Sequence, residues 1–200
     1  MNFLSGERGG LKEQEPGKGI PLAFGILFYS VVGLVGLGLP RLLGRWEGVA
    51  RLAEGRVPWI QEAAMGLVLG ALLVTASRVL VARWKLMADL EKALARLVGP
   101  MGSGEALVLA VVSGLAEEML FRCALLDLLG PWWSTLVFAF CHTGPGKEFR
   151  AWTLMAGLVG GLFAWLVLQG WGLTAVALAH ITLNYLNLKK LAHPPTSCRE

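Results

Sequence analysis

Apolar residues run through this chain in long blocks with few charges, at 20–40, 58–77, 105–128, 131–142, 151–168 and 173–188. A helix needs about 20 predominantly apolar residues to cross a bilayer. Most of the blocks meet that length, and 131–142 is short for a full crossing. The segments between them are different. Residues 41–57 and 78–98 interleave apolar side chains with Arg, Lys, Asp and Glu at helical period, the pattern of helices lying in a membrane interface. Gly99-Pro100, Gly130-Pro131 and 169–172 punctuate the sequence as helix ends do. The pattern predicts an all-α, polytopic membrane helix bundle of about six transmembrane helices with interfacial amphipathic helices.

Composition agrees. The 200 residues are 55% hydrophobic and only 16% charged, against about 45–50% apolar and 25% charged in soluble domains. Residues 1–19 are polar and Gly-rich, lack the apolar core and cleavage site of a secretory signal, and read as a disordered cytoplasmic tail. Residues 20–104 hold N-terminal spans and interfacial helices, and 189–200 form a second cytoplasmic tail. The net charge of +4 does not indicate nucleic acid, because the basic residues cluster at the ends of the apolar blocks. Most fall on the side shared by the tails, the 78–104 connection and the 143–150 turn, whereas Arg41, Arg45, Arg51 and Arg56 fall opposite. By the positive-inside rule this predicts a multi-pass protein of the cytoplasmic (inner) membrane with both termini cytoplasmic. Cys123, Cys141 and Cys198 are odd in number and lack CxxC spacing, so they read as packing residues rather than a disulfide framework.

The third block breaks the apolar rule. Residues 105–128 carry Glu117, Glu118 and Arg122, each costing about 2.5–3.5 kcal/mol at the centre of a bilayer-spanning helix. Four residues apart, Glu118 and Arg122 can pair along one face. Glu117 points about 100 degrees away, which leaves it available as a general base. Two of the three histidines, His142 and His180, also lie in apolar blocks, and Asn184 shares a helical face with His180. Taken singly, these groups could be buried structural charges or interhelical hydrogen-bonding partners. Together, a glutamate, two histidines and an asparagine between helices can activate water and stabilise an oxyanion, the two needs of amide hydrolysis. His193 lies in a polar tail and reads as a solvated surface group.

The runs EExxxR at 117–122, FxxxH at 138–142 and HxxxN at 180–184 resemble, in order and spacing, the three motifs of the CAAX protease and bacteriocin-processing enzyme family (CPBP, also called Abi). These are intramembrane proteases related to the Ras-converting CAAX endopeptidase. The resemblance covers residues 105–188, which it marks as a catalytic core. It implies Glu117 as the base that deprotonates water, His142 as a residue that holds that water, and His180 with Asn184 as the oxyanion site. Glu118 and Arg122 would be the supporting pair, and Phe138 would pack the site. Family members have also been labelled metalloproteases, so Glu117, His142 and His180 are the zinc ligands if a metal takes part; a metal-free site is favoured. Cys123 stands where many members have Gly, a departure that a small residue can tolerate. The expected partners are the bilayer and a membrane-bound or lipidated peptide substrate, with no nucleic acid. The alternative is a non-catalytic membrane transporter or partner-binding scaffold that uses the same polar cluster, bacteriocin self-immunity included.

Overall fold

The computed structural model describes Gly19 and residues 21–193. The tail expected at 1–19 therefore lies almost wholly outside the described residues, as do 194–200 of the C-terminal tail, with Cys198. Among the described residues the chain is helical throughout: α1 (Leu22–Leu42), α2 (Trp46–Glu54), α3 (Trp59–Arg83), α4 (Lys85–Val98), α5 (Ser103–Glu118), a π-helical turn (Met119–Leu125), α6 (Leu126–Cys141), α7 (Phe149–Leu168) and α8 (Leu173–Ala192).

Three of these, α1, α3 and α7, are long and apolar enough to cross a membrane. They correspond to the blocks at 20–40, 58–77 and 151–168. The other three expected spans do not meet that measure: α5 and α6 have 16 residues each, and α8 combines His180 and Asn184 with Lys189 and Lys190. The count of six spans is thus matched for three, and the exceptions are the helices that carry the polar groups. The outward side chains suit lipid. Phe24, Leu27, Val31 and Leu34 of α1 are exposed, as are Leu67, Val68 and Leu72 of α3 and Leu154 and Leu158 of α7. Trp59, Trp84, Trp132 and Trp133 are exposed near helix ends, where indole rings settle at a membrane interface.

Two boundaries differ from the sequence reading. The helix expected to end at Ser77 continues to Arg83, because nothing between 78 and 83 breaks it and Arg78 finds partners inside the protein. Its Nη2 donates to the Leu186 carbonyl at 2.8 Å, and its Nη1 lies 3.8 Å from Glu91 Oε2. The chain turns only at Trp84, which is extended at φ −123° and ψ 118°. The interfacial helix is therefore α4 alone, burying Met87, Leu90 and Ala93 against Phe149 and turning Lys92 and Arg96 outward. The amphipathic stretch at 41–57 contracts to α2, set between Gly44 and Gly55, both at positive φ.

Glycines set how closely the long helices approach. A Cβ at Gly66 would fall 2.5 Å from the Ala175 carbonyl, and one at Gly70 would fall 2.6 Å from Thr182 Cβ, so α3 lies directly on the backbone of α8. Gly114 of α5 meets Ile181 of α8 in the same way, at 2.7 Å. The start of α8 is tied down by a buried carboxylate: the backbone N–H of Gly172 donates to Glu62 Oε1 at 2.7 Å. Beside it, the Arg56 N–H donates to the Gly170 carbonyl at 2.7 Å. The core under this latch is Phe163, Ala164, Val167, Val176 and Ala179. At the opposite end of α8, Lys190 Nζ reaches Glu91 Oε2 at 2.6 Å, binding that end to α4. These anchors hold His180 and Asn184 at a fixed depth in the bundle.

Candidate active site

The EExxxR run spans the point where α5 gives way to the π-helical turn. A π turn inserts an extra residue into a helix and shifts the faces that follow it, and such turns occur often at functional sites. Here the Leu126 N–H bonds to the Phe121 carbonyl, which also accepts the Ser134 hydroxyl at 2.6 Å. Ser134, buried on α6, thereby ties the widened turn to the helix that leads to His142. Gly130 adopts φ 76° and ψ 173° inside α6, a conformation open essentially to glycine alone. It separates residues 126–129 from the straight run 131–141, as Gly130-Pro131 predicts.

Glu118 and Arg122 are fully buried. Arg122 Nε lies 3.2 Å from Glu118 Oε2, the pair expected from their spacing. The guanidinium carbon also sits 4.3 Å above the Phe138 ring, with the Phe163 ring at 5.6 Å and the Phe121 ring at 5.9 Å. Aromatic faces stabilise a desolvated cation by about 2 kcal/mol. Phe138 thus does more than fill space, since its ring lies against Arg122 and also 4.5 Å from the His142 ring. Gly160 of α7 makes room for it: a Cβ there would fall 2.8 Å from Phe138 Cδ1.

The second oxygen of Glu118 has a partner that sequence spacing did not indicate. Glu118 Oε1 lies 2.7 Å from His180 Nδ1. A carboxylate accepts, so Nδ1 carries the proton and Nε2 is turned the other way. The His142 ring is fixed likewise, with Nδ1 2.8 Å from the Phe138 carbonyl, which can only accept. Both Nε2 atoms face Glu117, at 3.8 Å from Oε2 for His142 and 3.7 Å for His180. These separations exceed a direct hydrogen bond and suit polar groups bridged by a water. Glu117 Oε2 is buried without a direct hydrogen-bond partner.

Of three residues predicted on separate helices, His142 and His180 therefore converge on one carboxylate oxygen of the third, Glu117. Asn184 lies one turn beyond His180 and donates its Nδ2 to Ser113 Oγ at 3.0 Å; Ser113, on α5, carried no sequence signal. His142, His180, Asn184 and Phe138 line a 240 Å³ cavity together with mostly apolar side chains, Leu73, Leu90 and Met155 among them, and with the polar Arg78, Glu91 and Asn187. Charge within the cluster is nearly balanced: two carboxylates and one guanidinium leave one negative charge, so one proton on Glu117, His142 or His180 brings the sum to zero. Low dielectric favours that neutrality.

One carboxylate and two imidazoles are donors that zinc accepts. Among the described residues no group of three or more His, Cys, Asp or Glu side chains meets the geometry of a metal site. Of the cysteines, Cys123 is buried and Cys141 is exposed. Cys141 adjoins His142 in sequence, and neighbouring helical residues point apart.

Neither a curated protein nor a solved structure matches this chain. A family does: residues 101–186 match the family described as Rce1-like, Type II CAAX prenyl endopeptidase Rce1-like. The matched segment begins before α5 and ends within α8, so it holds Glu117, Glu118, Arg122, Phe138, His142, His180 and Asn184 together. The family to which the three motifs point is thus the family whose model matches, over residues 101–186 of this chain.

Proposed function

We propose that the protein is an intramembrane endopeptidase that hydrolyses peptide bonds of membrane-associated substrates with water activated by Glu117. The observation that carries this reading is the convergence of two histidine Nε2 atoms on Glu117 Oε2 at 3.7 and 3.8 Å, beside a largely apolar cavity. A water held among these three atoms gives its proton to Glu117 as its oxygen attacks the scissile carbonyl. His142, oriented by the Phe138 carbonyl, positions the water. Carbonyl carbon and water oxygen form a bond, the carbonyl π pair moves onto oxygen, and the resulting oxyanion is met by the Asn184 amide and by His180 in its protonated form. Collapse of the tetrahedral intermediate breaks the C–N bond, and Glu117 returns the proton to the leaving amine.

The apolar cavity wall supports a substrate with a hydrophobic segment, either a membrane peptide or a lipidated one. Membrane peptides and peptide precursors are the preferred class. The chain would cross the cytoplasmic membrane six times with both termini inside. The test is cleavage, by protein purified into nanodiscs, of a membrane-peptide library and of a farnesylated CAAX peptide, with products sequenced by mass spectrometry. Internal cleavage of apolar peptides supports the reading, whereas proton-coupled uptake into sealed vesicles without any cleavage replaces it with transport.

A further inference from the structure

The cavity has a second polar end, away from the reacting groups. Along α8 its lining runs from His180 through Asn184 to Asn187, two turns and about 10.5 Å of helix rise. Level with Asn187 stand Arg78 of α3 and Glu91 of α4, both half-buried and both in the lining. Arg78 is fixed there by the bond from Nη2 to the Leu186 carbonyl at 2.8 Å. Its Nη1 lies 3.8 Å from Glu91 Oε2, beyond hydrogen-bonding distance, and that same oxygen takes Lys190 Nζ at 2.6 Å. Two cations thus share one carboxylate, which leaves a surplus positive charge. No other acid of the lining helices stands at this end. Asp89 of α4 is 2.7 Å from Lys85, Asp127 of α6 is 2.7 Å from Arg45, and Glu62 of α3 is bound at the opposite end to Gly172; α7 and α8 contain neither Asp nor Glu.

We infer that Arg78 and Lys190 form a subsite for a carboxylate of the substrate, which takes the place that Glu91 fills here. This deepens the protease reading by naming a group that the substrate carries. A guanidinium edge receives a carboxylate through parallel N–H bonds, and Asn187 adds an amide on the same wall. The rise from His180 to Asn187 equals about three residues of extended peptide, so one chain reaches the catalytic cluster and Arg78 together, with its apolar side chains against Leu80, Leu90 and Met155. The carboxylate is that of a chain end or of an acidic side chain, which present the same two oxygens. Glu91 is then an internal competitor whose displacement also releases α4 from Lys190.

Binding tests this without turnover. The probes are dye-labelled apolar peptides: one ending in a free carboxylate, its C-terminally amidated twin, and the amidated twin with one Glu near its end. Each is titrated by fluorescence polarisation against Glu117→Gln protein in phosphatidylcholine nanodiscs, with protein-free discs subtracted. The free carboxylate binds about 10-fold tighter than the amide, the lower figure for a hydrogen bond to a charged group, and the gap narrows as salt rises. Tight binding of the Glu-bearing twin admits a side chain, and weak binding confines the subsite to a chain end. Arg78→Gln erases the preference. Glu91→Gln, which keeps an acceptor for Lys190, tightens binding of the free carboxylate by about 2- to 5-fold, the worth of a half-exposed ion pair, whereas a purely structural ion pair gives unchanged or weaker binding. If Arg78→Gln does not fold, the Glu91→Gln comparison still decides. Equal affinity of carboxylate and amide, no binding of either, or no gain in Glu91→Gln overturns the subsite and leaves the protease reading intact. Failure of every peptide library to be cut removes the protease reading and leaves these affinities as they are.

Discussion

Glu118 holds His180 with one carboxylate oxygen and Arg122 with the other, at 2.7 Å from Nδ1 and 3.2 Å from Nε. One buried carboxylate therefore joins the first and third motifs and sets the tautomer of the histidine that faces Glu117. Glu118→Gln keeps the shape and removes the charge. It is expected to lower kcat by about 10- to 100-fold, as loss of a hydrogen bond between charged groups does, and to lower the melting temperature as well. Single-turnover cleavage and thermal melting in detergent check the two effects separately. Wild-type turnover in a variant that still melts lower would confine Glu118 to stability.

Arg122 is the converse case, a cation with one carboxylate and three aromatic faces for company. Arg122→Ala leaves Glu118 buried without its cation and is expected to destabilise the protein by about 3–5 kcal/mol. Replacing both partners, as in Glu118→Gln with Arg122→Met, recovers much of that stability, because no uncompensated charge remains, but does not recover activity. Melting of wild type, Glu118→Gln, Arg122→Met and the double variant gives the coupling, and additive losses would show that the two residues do not act as a pair.

The latch between α3 and α8 gives a prediction away from the chemistry. Glu62→Ala leaves the Gly172 N–H buried and unpaired, costing about 1–3 kcal/mol, and frees the first turn of α8. Lower thermal stability with KM unchanged is expected, together with faster amide exchange at 172–175. Wild-type stability would mean that water replaces the carboxylate.

The motif residues were legible in the sequence because charge and histidine stand out against apolar helices, and the spacing of Glu118 and Arg122 fixes their pairing wherever the helix forms. What joined the motifs was not legible. The Glu118–His180 bond and the Asn184–Ser113 bond cross 62 and 71 residues of chain, and helical periodicity carries no information about contacts between helices. Ser113 and Ser134 are ordinary residues of apolar helices until a neighbour supplies the partner. The π-helical turn has no breaker such as Gly or Pro to announce it; Met119–Leu125 reads as plain α-helix. Conversely Gly130-Pro131 was read correctly, because only glycine takes the observed backbone angles. The expected end of α3 at 77 failed for the opposite reason: Arg78 looked like a membrane boundary, but tertiary partners keep it inside the helix.

The most direct measurement compares wild type and Glu117→Gln for cleavage of a membrane-peptide library and a prenylated CAAX peptide, each with and without a strong zinc chelator. The amide is nearly isosteric with the carboxylate and cannot take the proton from water. The account predicts cleavage by wild type in both conditions, and none by a Glu117→Gln protein that melts like wild type. Cleavage by Glu117→Gln at the wild-type rate would contradict it, and loss of wild-type activity with chelator followed by recovery with zinc would make Glu117, His142 and His180 metal ligands instead.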